Sequence, residues 1–189
     1  MPVTRSLWRI IEESTPLIIG YAVLELLTGG VLGYMTTEIE ILPGLFVLIP
    51  ALLDMRGNIG SAFGARLNSG LHLGYIKPGK VTKALKTNIY SAITLSILMS
   101  VILALFAWVA CWLGGIVSIS FMEFLLISLI AGVTSGVALV LIAIFIANLS
   151  YDRGLDPDDV TTPTIGTAGD MVTVICLFVA VKIVLGLGI

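Results

Sequence analysis

Four ionisable residues stand inside long apolar stretches of this chain: Glu25, Asp54, Arg56 and Asp170. A charge at membrane depth is expensive, so such residues mark an ion pathway, a proton relay or a paired structural site. Asp54, Asn58, Ser61 and Ala65 recur at intervals of four, three and four, which sets them along one narrow face of a helix. Pro50 lies a turn before that face and Gly57 and Gly60 adjoin it, so a kink there would free carbonyl oxygens to line a wet path. A second stripe holds Pro163, Gly166, Asp170 and Thr173, with Thr167 one turn before the aspartate on nearly the same side. Asp156 precedes Asp170 by fourteen residues, or ~21 Å of helix, so one carboxylate would stand at a mouth and the other near the middle. Binding of a hard dication suits this set. Magnesium and calcium take oxygen ligands, and magnesium, slow to shed water, meets carboxylates through its hydration shell. Passage requires binding strong enough to admit the ion and loose enough to release it. The candidate metal-facing residues are therefore Asp170, Asn58, Asp156, Asp54, Gly166 and Thr167. No catalytic residue and no resident cofactor are expected; Mg2+ would be cargo, with Mn2+, Co2+ and Ca2+ as the competing ions.

The elements that hold these residues follow from composition and periodicity. The chain is 58% hydrophobic and 12% charged, with a mean hydropathy of +1.10, which makes lipid its solvent. About 20 apolar residues cross the ~30 Å hydrocarbon layer. The sequence predicts an all-α integral membrane protein, a single membrane domain over 1–189 and multi-pass in the cell membrane. An interfacial helix is expected over 4–14, with Leu7, Trp8 and Ile11 on one side and Arg5, Arg9 and Glu12 on others. Five transmembrane helices follow, at about 15–35, 42–67, 88–113, 121–149 and 162–187. Gly29, Gly30 and Gly33 give the first span a small-residue face, and Gly132 and Gly136 do the same for the fourth.

Charge sets the expected orientation. Arg5, Arg9, Arg66, Lys77, Lys80, Lys83, Lys86 and Arg153 fall in the N-terminal segment and the second-to-third and fourth-to-fifth connections, whereas Glu38, Glu40 and Glu123 mark the opposite side. The positive-inside rule then puts the N-terminus inside and the C-terminus outside. An odd number of spans cannot divide into equal inverted repeats, so any symmetry must come from a second chain. The net charge of -2 gives no sign of a nucleic-acid partner. Residues 1–10 lack the short apolar core and cleavage site of a secretory signal. Cys111 and Cys176 both fall in apolar stretches, where packing is the expected role.

The segments Pro50-Ala51-Leu52-Leu53, Gly57-Asn58 and Ala65-Arg66-Leu67, followed by Asp156-Pro157 and Asp170, resemble the MgtE-type magnesium channels and their eukaryotic solute-carrier relatives. The likeness covers spans two to five, including the interval between the two aspartates. It implies a homodimer whose pore is lined by spans two and five of both subunits, with Asp170 of each facing a central magnesium site, Asn58 lining the pore and Asp156 at its cytoplasmic end. Asp54 replaces a glycine usual in the family, which would add a second ring of negative charge. The cytosolic sensing domains that precede the membrane part in bacterial relatives have no counterpart here, so gating through them is not expected. The solute-carrier relatives carry two such units in one chain, which again points to dimerisation.

Other readings of the same residues stay open. Asp156 opens Asp-Pro-Asp-Asp, which is also how a helix begins. Glu25 and Arg56 lie at similar depth and could form a structural ion pair; Asp54 is the other candidate partner, although a spacing of two points the side chains to different faces. The acidic stripes would serve a cation/Na+ or H+ exchanger as well as a channel. An intramembrane aspartyl protease is a remote alternative: Tyr151-Asp152, Gly169-Asp170 and Pro50-Ala51-Leu52 echo its signature in the wrong order. A non-transporting membrane subunit would leave Asp170 unexplained.

Overall fold

The computed structural model describes residues 3–153 and 157–187, and Asp156 lies outside them. The described residues form six helices in the order α1 (Val3–Tyr34), α2 (Thr36–Ile41), α3 (Leu45–His72), α4 (Lys83–Gly114), α5 (Phe121–Asp152) and α6 (Pro157–Leu187). Four of them are long and apolar enough to cross a membrane, α3 to α6, and α1 carries a shorter apolar stretch over Ile18–Tyr34. The protein is thus a multi-pass helical membrane protein.

The N-terminal segment departs from the sequence reading. Residues 4–14 do not form a separate surface helix but run unbroken into the apolar stretch as α1. Pro16 was the natural place for a break, because it removes one helical N–H. The helix continues through it, and the hydroxyl of Thr15 donates to the Ile11 carbonyl at 2.5 Å within the same turn.

Local chemistry explains the other boundaries. Thr82 caps α4 by accepting from the Leu85 amide at 3.2 Å, and Gly115 ends that helix at φ 64°. Ser120 and Glu123 form a capping box at the start of α5, so Glu123, one of the acids used to set orientation, also holds a helix start. Gly44 turns the chain into α3 at φ 84°, where a Cβ would stand 2.8 Å from that of Ser118. The Ile119 amide donates to the Pro43 carbonyl at 2.9 Å, which ties the two connections together at that end.

Helix α3 packs against α4, α5 and α6, whereas α1 packs on α6 and touches α2. The bundle holds two apolar cores. One gathers Leu48, Leu52, Ala104, Phe124, Ile127, Val174 and Val181; the other gathers Phe63, Leu67, Ala92, Leu139, Ala143 and Ile165. Between them lies a polar layer, since Arg56, Ser96, Ser100, Ser135 and Thr173 are all buried at chain positions that separate the two clusters. The buried stripe of α4, with Asn88, Ala92, Ser96, Ser100, Ala104, Ala107 and Cys111, is made of small side chains that let α3 and α5 approach closely.

Candidate ion pathway

Asp170 sits at the level of the polar layer, because α6 enters one core at Ile165 and the other at Val174. Its side chain is half-buried, as is Gly166 a turn earlier, while Thr167 and Thr173 are buried. Thr173 is occupied within its own helix, donating to the Gly169 carbonyl at 2.6 Å. A Cβ at Gly166 would meet nothing within 4 Å among the described residues, so the face of α6 one turn before Asp170 is open.

On α3, Asp54 and Asn58 are exposed and joined to each other, the Asn58 amide donating to Asp54 Oδ2 at 3.0 Å. They line a cleft of 410 Å3 whose opposite wall is Leu95, Met99 and Leu103 of α4. Gly57 between them also faces open space. Pro50 lies within α3 without ending it. Gly60 allows α3 to close on α6, since a Cβ there would stand 2.6 Å from Ile165 Cγ2.

Glu25 and Arg56 do not pair. The Glu25 carboxyl of α1 lies beside that of Asp170, within hydrogen-bonding reach, and Asp54 is close enough for its charge to be felt at Asp170. Packing of α1 on α6 brings Glu25 there, supported by the contact of Tyr21 with Thr164 at 3.5 Å. Arg56 points the other way. At 1% exposure it donates from Nη1 to Ser96 Oγ at 2.8 Å, and its Nε has no partner among the described residues. Gly132 and Gly136 make room for it: a Cβ on Gly136 would lie 2.5 Å from Arg56 Nη1. The glycine pair on α5 is therefore a recess for a guanidinium, whereas a Cβ on Gly29, Gly30 or Gly33 of α1 would meet nothing within 4 Å among the described residues.

Two carboxylates, Glu25 and Asp54, thus stand near Asp170, and Arg56, at that depth on α3, turns its head to the far side of the helix. Among the described residues Lys182 with Glu38 is the ion pair formed, at one end of α6 and away from Asp170. No three His, Cys, Asp or Glu side chains among the described residues come together to chelate a metal ion. A dication held by one protomer would therefore keep most of its water or find further ligands on another molecule. Sequence reasoning missed Glu25 as a neighbour of Asp170 and Ser96 as the partner of Arg56. The four-residue recurrence of Ala92, Ser96, Ser100 and Ala104 was the available signal for the second.

A family model for divalent cation transporters, MgtE, matches residues 49–180. The chain belongs to the MgtE divalent cation transporter family. The matched segment opens one residue before Pro50 and runs into the second half of α6, so it contains Asp54, Arg56, Asn58, Gly166, Thr167 and Asp170. Helix α1 and its Glu25 lie before it.

Proposed function

We propose that two copies of this chain form a pathway for hydrated Mg2+ across the cell membrane, lined by α3 and α6 of each. Asp170 of the two subunits would face one another near the membrane middle, with Asn58 and Asp54 on the adjoining wall, Gly166 and Thr167 at the level above, and Asp156 at the cytoplasmic mouth. Helix α1 would complete five spans per subunit, with the N-terminus inside. One observation carries this reading: Asp170 stands at mid-bundle beside an open face, crowded by Glu25 and Asp54, with no Lys or Arg paired to it among the described residues. Carboxylates concentrated in this way attract a cation that need not shed its water.

Ion flux into proteoliposomes under an imposed Mg2+ gradient tests it. The wild-type chain should pass Mg2+, and Asp170→Asn should reduce that flux at least tenfold at equal incorporation. Flux that continues without a Na+ or H+ gradient supports a channel; flux that requires one supports an exchanger using the same site. Undiminished flux through Asp170→Asn would remove Asp170 from the pathway.

A further inference from the structure

A second site lies at the end of the bundle where the lysines cluster. The α3–α4 connection is folded back on the helices: the Ile76 amide donates to the Gly70 carbonyl at 2.9 Å, and Ile76 is buried against Gly70. The Gly79 amide reaches Asn148 Oδ1 of α5 at 3.4 Å. This fold leaves a cavity of 630 Å3 lined by Arg66, Tyr75, Lys83, Thr87, Asn88 and Ser91, among others. Asn88 is buried, donates to the Phe63 carbonyl at 3.2 Å and accepts from Arg66 Nε at 2.6 Å. The guanidinium is thereby held at the cavity by Nε, and its two terminal nitrogens have no hydrogen-bond partner among the described residues. Among the described residues no carboxylate pairs with Arg66 or Lys83.

The cavity continues along α4. Thr87 and Ser91 also line a neighbouring surface groove of 530 Å3 with Tyr90, Thr94 and Leu95, and Tyr90 is 69% exposed. Cations and hydroxyls therefore stand at the polar end of a membrane-spanning helix, and a groove of mixed character, in which the Tyr90 ring and Leu95 supply the apolar surface, leads from them toward its middle. A phosphate with an acyl chain matches both halves, whereas a free phosphate matches the first alone.

We propose that this cavity binds the headgroup of an acidic phospholipid, with Arg66 and Lys83 on the phosphate, Thr87 and Ser91 at the mouth, and an acyl chain along Tyr90 and Leu95. Because Arg66 belongs to α3 and Lys83 to α4, the lipid would clamp two helices of the bundle together.

The test is the thermal midpoint of the detergent-solubilised full chain with added phosphatidylglycerol, phosphatidylcholine of the same acyl chains, or inorganic phosphate. Phosphatidylglycerol should raise the midpoint by about 5 °C, and the other two should not. The double variant Arg66→Gln, Lys83→Gln should lose the gain. Lys77→Gln, a cation of the same connection that does not line the cavity, should keep it. Should the double variant fail to fold, Ser91→Leu closes the mouth while sparing both cations, and it too should lose the gain. An equal gain from phosphatidylcholine, the same gain from phosphate alone, or a phosphatidylglycerol gain that survives in the double variant or in Ser91→Leu would overturn the proposal.

Discussion

Two residues apart on α3, Asp54 and Arg56 meet opposite fates. Asp54 is exposed, beside Asn58 in a cleft; Arg56 is enclosed by α4 and α5, with its guanidinium on Ser96. The inward face is filled by this chain: the glycines of α5 leave the space and the serine of α4 accepts from Nη1, although Nε stays without a partner among the described residues. The outward face is not completed by it, because its polar groups bond to each other and border open space. Polar groups that a protomer satisfies internally serve its fold, and polar groups at membrane depth that it leaves open serve something that arrives. By this criterion Arg56 is part of the architecture, and Asp54, Asn58 and Asp170 are the residues at which the proposed pathway is to be tested.

Substitutions on the two faces should therefore separate transport from stability. Asp54→Asn should cut Mg2+ flux several-fold to tenfold, since one charge lost near the ion is worth about 1 kcal/mol or more at partly wet sites, with the thermal midpoint unchanged. A fall in midpoint comparable to the fall in flux would erase the contrast. Gly136→Leu should do the reverse. It drives a side chain into Arg56 and Ser96 and should cost about 1–3 kcal/mol, read as a lowered midpoint, with flux per folded protein retained. Arg56→Ala in the same chain vacates that space, so the double variant should be more stable than the sum of the two singles predicts.

A finer contrast lies between two glycines of α3. Gly60→Ala meets Ile165 and should destabilise by about 1 kcal/mol or more, measurable by denaturant or heat. Gly57→Ala faces open space in the protomer and should leave its midpoint within about 0.5 kcal/mol of wild type. If the two behave alike, the closeness of α3 to α6 is not what Gly60 secures.

The smallest effect belongs to the end of the bundle remote from the α3–α4 connection. Lys182 lies over the Phe178 ring and pairs with Glu38 of α2, and its hydrogen bond and charge hold the Glu38 carboxyl below its usual 4.5. A carboxyl depressed in the folded state stabilises at neutral pH, and that contribution is lost as pH falls through and below the ordinary carboxylate range. Lys182→Met should flatten the acid side of the midpoint-against-pH curve and leave the remainder in place. An unchanged acid limb would show that the pair is too well solvated to matter.

The long helices were legible because apolar runs of that length have few other folds in lipid, and the caps at Thr82 and Ser120 agree with the local chemistry of their sequences. The presence of Asp54, Asn58 and Asp170 within those helices was legible as well, since an acid or amide in such a run is rare. The continuity of α1 was not: residues 4–14 have the amphipathic pattern of a surface helix, and that pattern does not say whether the following turn breaks. Nor was the recess at Gly132 and Gly136, because four-residue spacing of glycine states only that something comes close, and here it is a guanidinium rather than another backbone.

The sequence by itself determined that this chain lives in lipid, where its long helices run and which residues carry charge at depth, because hydropathy and the helical period are properties of a segment. Only the tertiary structure decided that Glu25 stands beside Asp170 and that Arg56 turns to Ser96. A helical period fixes the angle at which a side chain leaves its own axis, but the neighbour it meets depends on which helices pack together, and that is settled by small residues on other segments far along the chain.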